Sequence, residues 1–100
     1  MPTNRQRATV ERGTVPYLPR HVRLKFSEIR NAWAVLAPER VLWPDEISLE
    51  ILKRCNGKST AAEIIADLCN DYNAPPSEVE KDVLDFLQEW RDEMLIGCEA

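Results

Sequence analysis

The sequence predicts an α+β domain in which a three-stranded antiparallel sheet is followed by three helices. Two observations carry that expectation. In the strand segments between Val22 and Pro44 apolar residues alternate with a period of two, whereas from Asp45 onward they recur every three or four positions. The switch falls within Leu36-Ala37-Pro38-Glu39-Arg40-Val41-Leu42-Trp43-Pro44, where two short apolar runs meet at a Pro-Glu turn. Length is a third bound: 100 residues support one domain with one modest core.

Taken in order, residues 1 to 16 hold Arg5, Arg7 and Arg12 but only scattered apolar side chains, too few to offset their own ordering entropy. They read as a mobile basic tail, with a single domain over residues 17 to 97 and a short tail at 98 to 100. Val22, Leu24 and Phe26 alternate with Arg23 and Lys25 in a first strand with one dry face. Trp33, Val35 and Ala37 mark the second strand, Pro38 suits the second position of a turn, and Arg40 to Trp43 returns as the third.

Helix starts are marked by capping residues. Asp45 precedes a first helix with Ile47, Ile51, Leu52 and Cys55 on one face, ending near Asn56-Gly57. Thr60 and Glu63 form a capping box for a second helix carrying Ala61, Ile64, Ile65, Leu68 and Tyr72. Pro75-Pro76 breaks that pattern. Ser77 and Glu80 offer a second capping box, for a helix whose stripe is Val79, Val83, Phe86, Leu87, Trp90 and Met94.

Charge is unevenly spread. Residues 1 to 30 carry seven Arg and Lys against two Glu, whereas residues 59 to 100 carry two against eleven acidic groups. Three strands and three helices form a winged-helix-like arrangement, in which a helix reading the DNA major groove offers Arg, Lys, Asn or Gln. Here the exposed flank of the third helix offers Glu78, Asp82, Asp85 and Glu89, which phosphates repel, so nucleic acid is disfavoured and a winged-helix DNA binder is the weakest alternative. Catalysis is equally unsupported: His21 is the lone histidine, no phosphate-binding glycine loop occurs, and no carboxylates or cysteines show metal-ligand spacing. Cys55, Cys69 and Cys98 are odd in number and unpaired in pattern. With no signal-peptide core and no long apolar run, the chain reads as cytoplasmic. The inventory is that of a binding module rather than an enzyme, with no cofactor and no metal.

The order and spacing of several short runs from about Pro19 to Ile96 resemble the PqqD family of pyrroloquinoline quinone (PQQ) biosynthesis, and with it the wider class of RiPP precursor recognition domains. The runs are Pro19 with Val22-Arg23-Leu24, Leu36 to Leu42, and Ile51-Leu52-Lys53-Arg54-Cys55-Asn56-Gly57. Thr60, Glu63-Ile64, Leu68, Tyr72, Asp82-Val83 and Phe86-Leu87 follow. Asn56-Gly57 stands where the family usually has Asp-Gly, and Asp45 to Glu50 is bulkier and more acidic than the family's usual start of that helix.

The resemblance implies a peptide chaperone that binds the ribosomal precursor peptide of PQQ and presents it to a radical SAM enzyme that cross-links the peptide's Glu and Tyr side chains. An extended peptide can join a free sheet edge as a further strand, with side-chain pockets setting specificity. The expected edge is Arg40 to Trp43. Val41, Leu42 and Trp43 are the apolar contacts expected there, Phe86 and Trp90 the opposite wall, and Arg40, Asp82 and Asp85 the charged rim. Strand alternation lets only some of these face one groove. A homodimer pairing the same edge is the competing occupant, and a non-catalytic interaction domain docking through its acidic helices is the alternative function.

Overall fold

The computed structural model describes residues 9 to 99. Its elements run β1 (Val15–Tyr17), β2 (Arg23–Ser27), β3 (Ala32–Ala37), β4 (Arg40–Leu42), α1 (Glu46–Lys53), α2 (Ala61–Tyr72), α3 (Pro76–Asp92) and β5 (Gly97–Glu99). The expected meander is present as β2-β3-β4. A two-residue turn joins β3 to β4: Ala37 pairs with Arg40, Pro38 takes the second turn position, and Glu39 adopts the left-handed region at φ 61°.

Cross-strand register sorts the side chains. Leu24, Val35 and Leu42 stand side by side on the face covered by helices, and Val35 is buried in the core with Ile51, Leu52, Ile64, Val83 and Leu87. Arg23, Leu36 and Val41 share the other face, as do Lys25 and Ala34. Helices α2 and α3 pack against each other beneath the sheet.

Two of the three expected caps are present. Asp45 accepts from the Ser48 amide at 2.8 Å, and Thr60 and Glu63 exchange bonds of 3.1 and 2.8 Å. The box at Ser77 is not formed: Pro75 occupies the cap position and Pro76 opens α3, where its missing N–H costs nothing. Helix α1 ends at Lys53, before Gly57. Helix α3 stops short of Met94, which takes φ 64° in a Schellman reversal: Leu95 N–H donates to Trp90 O and Met94 N–H to Arg91 O, each at 2.9 Å. That turn leaves Met94 exposed and drives Leu95 and Ile96 into the core.

The boundary expected at residue 17 is too late. Val10 is only 6% exposed, Pro16 is buried, and β1 pairs antiparallel with β5, so residues from both expected tails form a second, two-stranded sheet. The Thr14 and Arg12 carbonyls accept from the Ala61 and Ala62 amides at 2.8 and 2.9 Å, giving the first turn of α2 partners it cannot find within the helix. Three-residue strands, one containing proline, show no periodicity, which is why the sequence conceals them. Residues 1 to 8 and residue 100 of the expected tails lie outside the described residues.

Candidate functional site

In a two-residue hairpin the pair flanking the turn exchanges hydrogen bonds and the next pair does not. Ala37 and Arg40 are the flanking pair, so Arg40 and Leu42 direct their backbone groups to β3. Val41 therefore turns its N–H and C=O outward, to an edge that no described strand pairs. The meander's other edge is β2, whose alternate Arg23 and Lys25 are exposed charges that discourage strand addition.

Alongside the β4 edge lies α3. Arg40 meets Glu93, just past the helix end, at 3.0 Å. At the far end Ile47 of α1 lines a cavity of about 150 Å³ together with Leu68, Tyr72, Val79, Asp82 and Val83. The chain from Arg40 to Ile47 thus follows α3 in the opposite sense, over a 17-residue helix about 25 Å long. Between the two ends Phe86 and Trp90 stack with ring centroids 4.8 Å apart, half-buried against the core.

The eight residues expected at the site do not share one surface. Arg40 and Leu42 stand on the helix side with Asp82, Phe86 and Trp90, whereas Val41 and Trp43 stand on the outer face of the sheet. Asp85 lies along α3 in an ion pair with Lys81 at 2.8 Å. Sequence reasoning missed the Ile47 cavity because Ile47 and Tyr72 sit on helix stripes that read as core, yet both are exposed at its mouth. It also missed Glu93, whose partner is 53 residues away in the chain.

Among the described residues no group of three His, Cys, Asp or Glu side chains is placed to hold a metal ion, and no helix is long and apolar enough to cross a membrane. His21 is exposed, with Nε2 3.2 Å from the Met94 carbonyl, where it braces the reversal after α3. Burial pushes the Cys55 thiol up to about 12, away from nucleophilic use.

A small sheet whose β4 edge lies beside an amphipathic helix, with a cavity at the end of the groove between them, has the geometry that an added peptide strand requires. The family described as coenzyme PQQ synthesis protein D (PqqD) matches residues 32–96. A PqqA binding protein of Rhodopseudomonas palustris strain TIE-1 is 48% identical over 87 residues, covering 87% of this chain and 85% of that protein. The bifunctional coenzyme PQQ synthesis protein C/D of Methylorubrum extorquens is 42% identical over 73 residues, which span 73% of this chain and 20% of that larger protein. Among solved structures, the PqqD truncation of Methylobacterium extorquens PqqCD, described as a functional and stand-alone RiPP recognition element, superposes with a TM-score of 0.70 at 37% identity, covering 83% of this chain and 88% of that one. Crystalline PqqD from Xanthomonas campestris gives 0.54 at 34% identity over 87% and 97% of the two chains. The chain belongs to the PqqD family.

Proposed function

We propose that this chain is a non-catalytic, cytoplasmic peptide chaperone that takes the ribosomal precursor peptide of PQQ as an added strand on β4 and presents it to a radical SAM cross-linking enzyme. The observation that carries the reading is the outward-facing backbone of Val41 on an open edge beside α3. Main-chain bonds at Val41 supply affinity without regard to sequence. The stacked Phe86–Trp90 pair and the Ile47 cavity then select apolar side chains, with Asp82 favouring a neighbouring cation. The names of the relatives support the same assignment: a PqqA binding protein, and a protein in which a similar segment is joined to PQQ synthesis protein C.

Titrating the precursor peptide into isotopically labelled chain tests the reading. Amide shifts confined to residues 40 to 43 and α3 are expected. Absence of any shift at millimolar peptide overturns it. The same open edge also suits a second copy of the chain, in which case peptide and homodimer compete. Light scattering with and without peptide then reads a dimer that dissociates as peptide binds.

A further inference from the structure

The outer face of the three-stranded sheet carries an exposed apolar surface that the peptide edge does not use. Ile29, in the loop between β2 and β3, is 97% exposed, Val41 55% and Trp43 43%; together with Leu36 they line an open depression on this face. Ala34 is buried on this face without belonging to the core cluster, and it lines the same depression. Its charged surround is basic: Arg23 and Lys25 rise from β2 onto the same face, and Arg30 lies 4.5 Å from the centroid of the Trp43 ring, against Glu28 as the acidic exception. Elsewhere the domain is acidic, with eleven carboxylates from residue 59 onward.

We propose that this face docks a folded protein surface that is apolar at its centre and acidic at its rim, and that the surface belongs to the enzyme that acts on the bound peptide. Only the identity of the partner rests on the peptide reading. Contiguous exposed apolar surface with a polar rim marks protein association. A second copy docking face to face about a twofold axis sets this basic patch against an identical basic patch, so the charge pattern disfavours it. An acidic rim is complementary and also speeds encounter.

Strand β4 links the two sites. Its edge takes the peptide, while the side chains of Val41 and Trp43 belong to the outer face. Alternate side chains of an added strand project to the same side as Val41. A partner seated on this face therefore lies against them.

The test uses the purified radical SAM cross-linking enzyme of the pathway and the full chain carrying Lys25→Glu or Ile29→Asp. Both residues are exposed and neither belongs to β4: Lys25 is on β2 and Ile29 in the loop that follows it. Calorimetry is expected to show enzyme affinity at least about tenfold weaker in each variant and more so in the pair, weakening further with salt in the wild type, with peptide affinity within about twofold of wild type. Unchanged enzyme affinity in variants with wild-type circular dichroism overturns the proposal, as does lack of enzyme binding by the wild-type chain. Loss of peptide affinity in the same variants also overturns it, by assigning the face to the peptide. Binding of the chain to phosphatidylglycerol vesicles that weakens in both variants overturns it by assigning the face to a membrane. Should the wild type bind enzyme but no peptide, with enzyme binding lost in the variants, docking stands and the peptide reading falls.

Discussion

Arg40 holds its guanidinium 3.0 Å from the Glu93 carboxylate, so the first residue of β4 is tied to the residue that closes α3. Both side chains are 44% exposed, and solvent screens such a pair to well under about 1 kcal/mol. A contact this weak at one end of a groove can be displaced by a peptide without unfolding the domain. A double-mutant cycle with Arg40→Ala and Glu93→Ala is expected to give a coupling energy below about 0.5 kcal/mol in denaturant unfolding. Peptide affinity is expected to change more than stability in Arg40→Ala, because the guanidinium stands at the first residue of the proposed peptide edge. A coupling above about 2 kcal/mol marks the pair as structural and removes it from the site.

Val41 separates backbone from side-chain recognition. Val41→Pro removes the outward N–H and restrains φ, whereas Val41→Ala keeps the N–H and trims only the side chain. On an edge strand the proline leaves the β3–β4 ladder intact, since Val41 donates nothing to it. Peptide affinity is expected to fall about tenfold or more in Val41→Pro and by less than about threefold in Val41→Ala. Equal losses show that the side chain governs binding, and no loss in a folded Val41→Pro protein places the peptide elsewhere.

The sequence disclosed the elements whose causes are local. Alternation along residues 22 to 26 and 33 to 37, the cap at Asp45 and the box at Thr60 and Glu63 each act within a few residues and each appears as read. What escaped depends on distant partners. Strand β1 exists because β5 returns beside it from the far end of the chain, and the Ile47 cavity exists because α1, α2 and α3 meet imperfectly. Met94 followed the helical stripe, yet the pull of Leu95 and Ile96 into the core ended the helix two residues earlier. At the site, Val41 and Leu42 were both legible as edge residues. Alternation alone sets them on opposite faces, but telling which of the two meets the helices required the register with β3, which only the fold supplies.

Cys55 gives the domain an alkaline signature. Burial is the main cause of its raised thiol value of about 12, with Cys98 adding a smaller repulsion. A folded value above the unfolded one contributes stability that is fully present below the unfolded value, near pH 9, and is lost as pH rises toward 12. Unfolding free energy is expected to decline from about pH 9 to 11 more steeply in wild type than in Cys55→Ala, and the difference between the two is the contribution of the thiol. Native labelling with a thiol reagent at pH 8 is expected to modify half-buried Cys69 and Cys98 well before Cys55. Rapid labelling of Cys55 contradicts its burial.

The amino-terminal segment tests how far the fold extends beyond what periodicity shows. Deleting residues 1 to 14 removes the buried Val10 side chain and the two carbonyls, at Arg12 and Thr14, that satisfy the first turn of α2. It also removes the Arg12–Glu80 ion pair, which joins the segment to α3 at 2.6 Å but is exposed and contributes little. Burial of one valine and two backbone hydrogen bonds together point to a loss of about 2 to 4 kcal/mol. Val10→Ala alone isolates the burial part, expected at about 1 to 1.5 kcal/mol. In denaturant unfolding the truncated chain is expected to keep its midpoint order, wild type above Val10→Ala above the deletion. If the deletion matches wild type, residues 10 to 14 add nothing to stability. If Val10→Ala costs as much as the deletion, the Arg12 and Thr14 carbonyls contribute nothing, and water serves the first turn of α2 equally well.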